Sequence, residues 1–553
     1  MEKLEQVRRQ IVVVFFAAVF LLGMFLAKDY GMPWDETTEF GIFAANIKEY
    51  ARVLEGEDST FVRWADEKDY PYISEYIEKD HGQSAYYPCT PWFIKYGYAD
   101  DMRSLSHAWH RYTFFVTFLG LLSLYAIIKL LLKDWKYGIV GVLMYWLSPR
   151  MFADGFYNNK DMVFASLLLM VAVLGIYFIE TRKIRYAVLL GIAAGFAANT
   201  RVIGFWVLGL VGLLYLVVLT AQKQWNRSNF LKGVLIVAVF AVTFFLITPA
   251  CWPSIVGYFQ YVISQSMDFV RWEGSLLYQG QMFGNSFRTL PWHYVPVLIF
   301  LTSPLIFLML MVAGHVLTAG KFLRFREILN GCEKYYLLLM AIVWPVLIYT
   351  MIGDPVIYNG WRHLYFVYGP FVVFGARALQ VLMHADSKRI RRTAACAVGG
   401  QMLYLVVIMA IWHPNQFGYY NLLAGGNVEK RYELDYWDTA AASCIRHLVD
   451  KVNPTEPIVI GAYDGYSYAG LPWGAMVLPK EYQDKLIILP EDTYLTADYL
   501  FVDTTYREIT EKRYEMQLGG YEPFDYDSWG DEYYSEDFLD NRLWVVYKRK
   551  GLE

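Results

Sequence analysis

Apolar residues along this chain gather into runs close to the roughly 20 residues that cross the hydrocarbon core of a bilayer, beginning at Ile11 and ending at Trp412. The runs fall at 11–27, 113–132, 138–147, 162–179, 186–198, 202–219, 233–247, 296–317, 335–352, 364–383 and 393–412. Read as spans, they predict about eleven transmembrane helices, within a range of about nine to thirteen because 138–147 and 186–198 are short. Between the first two lies a loop, 29–111, too long for a simple connector. Its stretch 39–54 places Phe40, Ile42, Phe43, Ile47, Tyr50 and Val53 at helical spacing, which predicts a helix along the membrane surface or a small cap with its own core. A second long segment covers 249–293. After residue 412 the pattern changes: 457–462, 485–489, 499–504 and 543–547 read as strands, 440–451 as a helix and the acidic, tyrosine-rich 521–540 as a loop.

The chain therefore divides into a membrane module, 1–412, and a small α/β domain, 413–553. Charge orients both. Lys3, Arg8 and Arg9 precede the first run, and further basic residues fall in every second loop: Lys133 and Lys136, Arg182 to Arg185, Lys223 to Lys232, Lys321 to Arg326, and Lys388 to Arg392. The positive-inside rule places these loops and the N-terminus in the cytoplasm, and the two long loops and the α/β domain outside it. No small-residue cleavage site follows the first run, so it reads as a retained helix.

Composition agrees: 56% hydrophobic with 18% charged residues is not that of a soluble enzyme. A net charge of −4 with no basic block offers nothing to nucleic acid. The five cysteines show no metal-ligand spacing and leave one over, so neither a zinc site nor a disulfide framework is expected.

Ionisable residues at membrane depth cost about 2.5–3.5 kcal/mol each on insertion scales, so those at the outer helix ends need partners or tasks. The acids are Asp35, Glu36, Asp154 and Asp161; the cations are Arg150, Lys160, Arg201 and Arg362, with His363 beside the last. Carboxylates and cations in one cavity suit attack by a hydroxyl on a sugar linked to phosphate. A carboxylate takes the acceptor proton, and the cations stabilise the departing phosphate. Taken singly, each group also has a plainer role. Asp35 and Glu36 would cap the following helix, the arginines would snorkel to headgroups, and Asp161 would start the next span.

In combination, Trp34-Asp35-Glu36 after the first span, Ser148-Pro-Arg-Met-Phe with Asn158-Asn-Lys-Asp161, Thr200-Arg-Val-Ile-Gly204, Asn359-Gly-Trp-Arg-His-Leu-Tyr-Phe-Val-Tyr, and His413-Pro-Asn-Gln-Phe-Gly-Tyr-Tyr-Asn421 with Glu433-Leu-Asp-Tyr-Trp437 resemble a known family. It is the lipid-carrier-dependent glycosyltransferases of the GT-C fold, in the branch of protein O-mannosyltransferases and aminoarabinose transferases. The resemblance covers about residues 1 to 440. It implies a polyprenyl-phosphate sugar donor, an active site at the outer membrane face and Asp35 as catalytic base. It further implies that Glu36 assists, that Arg150, Lys160, Arg201, Arg362 and His363 meet the carrier phosphate, and that Asp161 shapes the site or touches a divalent ion. No metal-ligand cluster is apparent, and no cofactor beyond a possible divalent cation is expected. The protein-mannosylating members carry a β-trefoil-type lumenal domain for which 249–293 is too short, so the acceptor is left as a glycan, a lipid or a protein. The expectation is an inverting glycosyltransferase in a bacterial cell membrane rather than an endoplasmic reticulum. The alternatives are a ligase of lipid-linked glycans and a transporter or flippase of lipid-linked intermediates.

Overall fold

The computed structural model describes residues 2–267, 271, 274–284, 288–320, 329, 331–353, 355–357, 359–518 and 523–552. Among them, eight helices are long and apolar enough to cross a membrane: Glu5–Leu26, Met102–Leu132, Asp161–Thr181, Gly204–Ala221, Arg227–Ile247, Glu333–Ile352, Arg362–Met383 and Lys388–Ile411. Two shorter apolar helices, Ile184–Thr200 and Leu305–Ala319, accompany them. Val13, Val14, Leu21, Val237, Val242 and Leu403 leave large apolar side chains exposed on these helices, a surface suited to lipid. The chain is a polytopic α-helical membrane protein with a small C-terminal α/β domain. The expected basic loop of Lys321, Arg324 and Arg326 lies outside the described residues.

Three of the expected runs are built differently from simple spans. The run 296–317 is two helices, Tyr294–Thr302 and Leu305–Ala319. The break falls at Ser303-Pro304, where proline offers no N–H to the preceding turn. The run 364–383 opens as a 3-10 turn, Arg362–Val367, before the helix Tyr368–Met383. The helix Trp135–Trp146 has 12 residues. At a rise of 1.5 Å each it spans about 18 Å, well short of the roughly 30 Å hydrocarbon core, and the chain then turns at Ser148 into the buried helix Pro149–Tyr157.

Helix Asp161–Thr181 is the most enclosed of these spans, with 83% of its apolar window buried, and its first residue, Asp161, is itself buried. The first long loop covers that end. Its helix Glu36–Glu55 packs Phe40 and Phe43 against Phe93 and Trp109, edge to face in most pairs. The second loop adds a hairpin, β1 (Leu276–Tyr278) and β2 (Gln281–Phe283), with Tyr278 bridged to Tyr432.

The C-terminal domain is built on β3 (Ile458–Gly461), β4 (Leu486–Ile488), β5 (Tyr499–Asp503), β6 (Gly530–Phe538) and β7 (Asn541–Arg549), in the spatial order β4-β3-β5-β7-β6. β4, β3 and β5 are parallel, and β7 and β6 join antiparallel. The chain passes from β3 out to β4 and returns to the other side of β3 as β5, so β3 and β5 form a topological switch point. The acidic stretch expected as a loop at 521–540 is in part a strand, 530–538, while 521 and 522 lie outside the described residues. Two of its acids are paired. Glu532 pairs with Arg542 across the ladder, and Glu536 accepts from Asn415 at 2.5 Å and pairs with His447 at 2.9 Å.

Candidate active site

Asp35 stands at the N-cap of helix Glu36–Glu55 but makes no side-chain cap hydrogen bond. Its Oδ2 instead accepts from the Trp437 indole Nε1 at 2.9 Å and lies 3.7 Å from Arg362 Nη2. The backbone of the same tryptophan accepts from Trp34 N at 3.4 Å. Among the described residues Oδ1 accepts no hydrogen bond, and the side chain is 46% exposed. One oxygen is thus held, and the side chain remains half-exposed.

From Asp35 a chain of charges crosses the bundle end. Arg362 lies with its guanidinium 4.6 Å from the Trp437 ring and its Nη1 3.6 Å from Asp161 Oδ2, and Asp161 Oδ1 is paired with Arg201. Lys160 Nζ donates to Glu39 Oε1 at 2.9 Å, and Gln83 donates to the other oxygen of Glu39. Asp35, Glu39, Lys160, Arg201, Arg271 and Arg362 line one cavity of about 270 Å³, together with Trp34, Glu78, His81 and Asn359.

Local sequence fixes these positions. Asn158 Oδ1 accepts from Asp161 N at 2.8 Å and so starts the central helix. Asn359 and Gly360 both take positive φ, 51° and 74°; their turn is held by Glu433, which accepts from Asn359 Nδ2 at 3.1 Å and Gly360 N at 3.2 Å. This turn aims Arg362. At Gly82 a Cβ would stand 2.1 Å from the carbonyl oxygen of Asn199, so glycine alone lets the His81 loop close onto the helix end that precedes Arg201.

Burial sets the electrostatics of the surrounding acids. It pushes Glu433 up to about 8 and Asp154 up to about 7, and it raises Glu39 despite the adjacent Lys160. His81 is held well below its ordinary value by burial and then by Lys160, which keeps it neutral. Because folding raises the Glu433 value from an ordinary 4.5 to about 8, the native state keeps a proton there that the unfolded chain releases. Its contribution to stability is complete below pH ~4.5 and falls as the pH rises to ~8. Glu433→Gln removes that proton, so thermal unfolding of the purified protein should lose less stability between pH 5 and 8 than wild type. An unchanged pH slope counts against the assignment.

The structure brings Asp35, Lys160, Asp161, Arg201 and Arg362 to one place but sets Glu36 and Arg150 apart. Glu36 is 1% exposed and pairs with His110 Nε2 at 2.8 Å, away from the cavity. Consecutive helical residues do not share a face, so the adjacent carboxylates diverge. Arg150 is buried with its guanidinium 4.4 Å from the Phe417 ring and 5.0 Å from that of Tyr420, in a helix enclosed on all sides. His363 is partly buried next to Arg362 but is not on the cavity wall. Arg150 and Arg362 are buried, which rules out snorkelling for both. Sequence reasoning singled out Glu433 and Trp437 only as motif residues without a role at the site, and missed Glu39, His81 and Arg271.

It also missed a metal-ligand group. Ligand atoms of Glu78, Asp80 and His81 lie within 4.8 Å of one another and could hold a divalent cation. Arg271 pairs with Glu78 at 3.0 Å and Asp80 at 2.7 Å, so a cation would have to displace it. The Glu78-x-Asp-His81 spacing was the available signal.

Residues 84–248 match the family model of the dolichyl-phosphate-mannose-protein mannosyltransferases. No curated protein matches. Two solved structures of ArnT from Cupriavidus metallidurans are similar at 13% identity: the apo state, with a TM-score of 0.46 over 97% of this chain and 98% of that one, and the form bound to undecaprenyl phosphate, with a TM-score of 0.44 over 97% of each. In sequence, then, the chain is similar to a mannosyltransferase family across the segment that carries Lys160, Asp161 and Arg201.

Proposed function

We propose that the protein is an inverting glycosyltransferase that moves a sugar from a polyprenyl-phosphate donor to an acceptor hydroxyl at the extracytoplasmic face of the membrane. The observation that carries this reading is Asp35: one carboxylate oxygen is held by Trp437, and the half-exposed side chain lines a cavity walled by Lys160, Arg201 and Arg362. The acceptor hydroxyl gives its proton to Asp35 Oδ1 as its oxygen bonds to the anomeric carbon. The bond from that carbon to the phosphate oxygen breaks, and the electron pair leaves with the phosphate, whose added charge meets the three cations. A phosphate leaves as an anion and needs no general acid, so one carboxylate is enough. A single displacement inverts the anomeric centre. A divalent cation at Glu78, Asp80 and His81 would add positive charge beside the same phosphate.

The matched family supports the donor class, since its description specifies a dolichyl-phosphate sugar. The transporter alternative fits less well. Transport sites lie near the bilayer midplane, whereas Asp161 and Arg362 are the first residues of their spans. Mass spectrometry of polyprenyl-linked sugars, extracted from membranes with and without the protein, tests the reading. One lipid-linked sugar should accumulate when the protein is missing, and unchanged pools would overturn it.

A further inference from the structure

A second, larger cavity of about 660 Å³ opens in the C-terminal domain, lined by Tyr463, Asp464, Tyr466, Glu491, Arg513 and, on its near side, Trp34. It lies beyond the carboxyl ends of β3 and β5, the switch point at which open α/β sheets bind ligands. Trp34 lines both this cavity and the one containing Asp35. Resting on the reading above, we propose that the larger cavity is the acceptor site, that it binds a carbohydrate, and that the reacting hydroxyl reaches Asp35 past Trp34.

The lining identifies the ligand class. Tyr463 and Tyr466 are only partly buried, and each is backed on one face by another ring: Tyr463 by Phe524 at 4.6 Å and Tyr466 by Tyr506 at 4.5 Å. Trp34 leans on the same pair, 6.0 Å from Tyr466 and 5.9 Å from Tyr506. Braced flat rings accept the apolar faces of pyranoses, as amphipathic aromatic surfaces do for other rigid rings. Asp464 is buried, and its oxygens accept from Ser467 N at 2.8 Å and Ser467 Oγ at 2.6 Å. Glu491 is exposed across from Gly465, whose missing Cβ would stand 2.7 Å from the Glu491 carboxylate. Two carboxylates beside a helix start repel a phosphate or nucleotide, which such a switch point otherwise favours. They suit hydroxyl donors, and Arg513 supplies a donor for ring or hydroxyl oxygens.

The test uses the full chain in detergent on a printed array of neutral, acidic and amino saccharides, with Glu491→Gln and Arg513→Ala as variants. Binding of polyprenyl phosphate and thermal unfolding serve as fold controls. Wild type should retain a saccharide class, and each variant should weaken that binding about 10- to 100-fold while binding polyprenyl phosphate normally. Retention of no saccharide by wild type, or retention by both variants equal to that of wild type, overturns the acceptor site and leaves the proposed transfer standing. Saccharide binding without any sugar transfer overturns the proposed transfer, and with it the acceptor role, leaving a glycan-binding site.

Discussion

Replacing Asp35 by Asn should lower the transfer rate by about 10²- to 10⁴-fold, the range that a positioned general base supplies. The amide keeps the size of the carboxylate and can still accept from Trp437 Nε1, which now donates to Oδ2 at 2.9 Å. What it loses is the capacity to take the acceptor proton. Donor affinity should move less than the rate, because the proposed phosphate-binding cations keep other partners: Arg201 is held by Asp161, Lys160 by Glu39, and Arg362, which loses only its pairing with Asp35, by Asp161 and the Trp437 ring. A companion variant, Trp437→Phe, keeps the ring under Arg362 but removes the indole donor and frees the carboxylate to rotate. It should reduce the rate by a smaller factor than Asp35→Asn and leave donor KM unchanged. The measurement is single-turnover transfer from a radiolabelled polyprenyl-phosphate sugar by purified protein. A rate for Asp35→Asn near that of wild type removes Asp35 from the chemistry.

The spans and the strands of this protein were legible because each is a local pattern. Runs of apolar residues announce the helices, and the β-branched stretches around Ile458, Leu500 and Val545 announce β3, β5 and β7. β6 escaped because its residues are acidic; the hydrogen bonds from Asn415, His447 and Tyr534 make a buried Glu536 tolerable. Charge alternation was enough to put Asp35, Asp161, Arg201 and Arg362 on one end of the bundle. It was silent on which way a side chain points, so Glu36 and Arg150 entered the same list although one meets His110 and the other the Phe417 ring. Trp437 and Glu433 were harder still. They act over about 400 and 70 residues of sequence respectively, on Asp35 and on the Asn359 turn, through hydrogen bonds that leave no periodicity behind. Arg271 joins two long loops whose pairing no local rule foretells.

Arg362→Lys should raise donor KM and lower kcat/KM together, although the charge is conserved. Arg362 bridges two carboxylates with two different nitrogens, Nη2 toward Asp35 at 3.7 Å and Nη1 toward Asp161 at 3.6 Å, while its plane lies against Trp437. An ammonium is a point charge that can reach one of those partners but cannot span both or stack in the same way. Charge-assisted hydrogen bonds contribute about 1.5–3 kcal/mol each, so losing one contact to the phosphate predicts a fall of about 10- to 150-fold in kcat/KM. Arg201→Lys provides the contrast. Arg201 pairs with Asp161 from one side only and is partly exposed, so a lysine there can keep that pair, and the loss should be several times smaller. If the two variants lose equally, the arginines act as a diffuse positive field and the bridging role of Arg362 falls. If Arg362→Lys costs more than Arg201→Lys and the deficit appears mainly in donor KM, the fork at Arg362 is what holds the carrier phosphate beside Asp35.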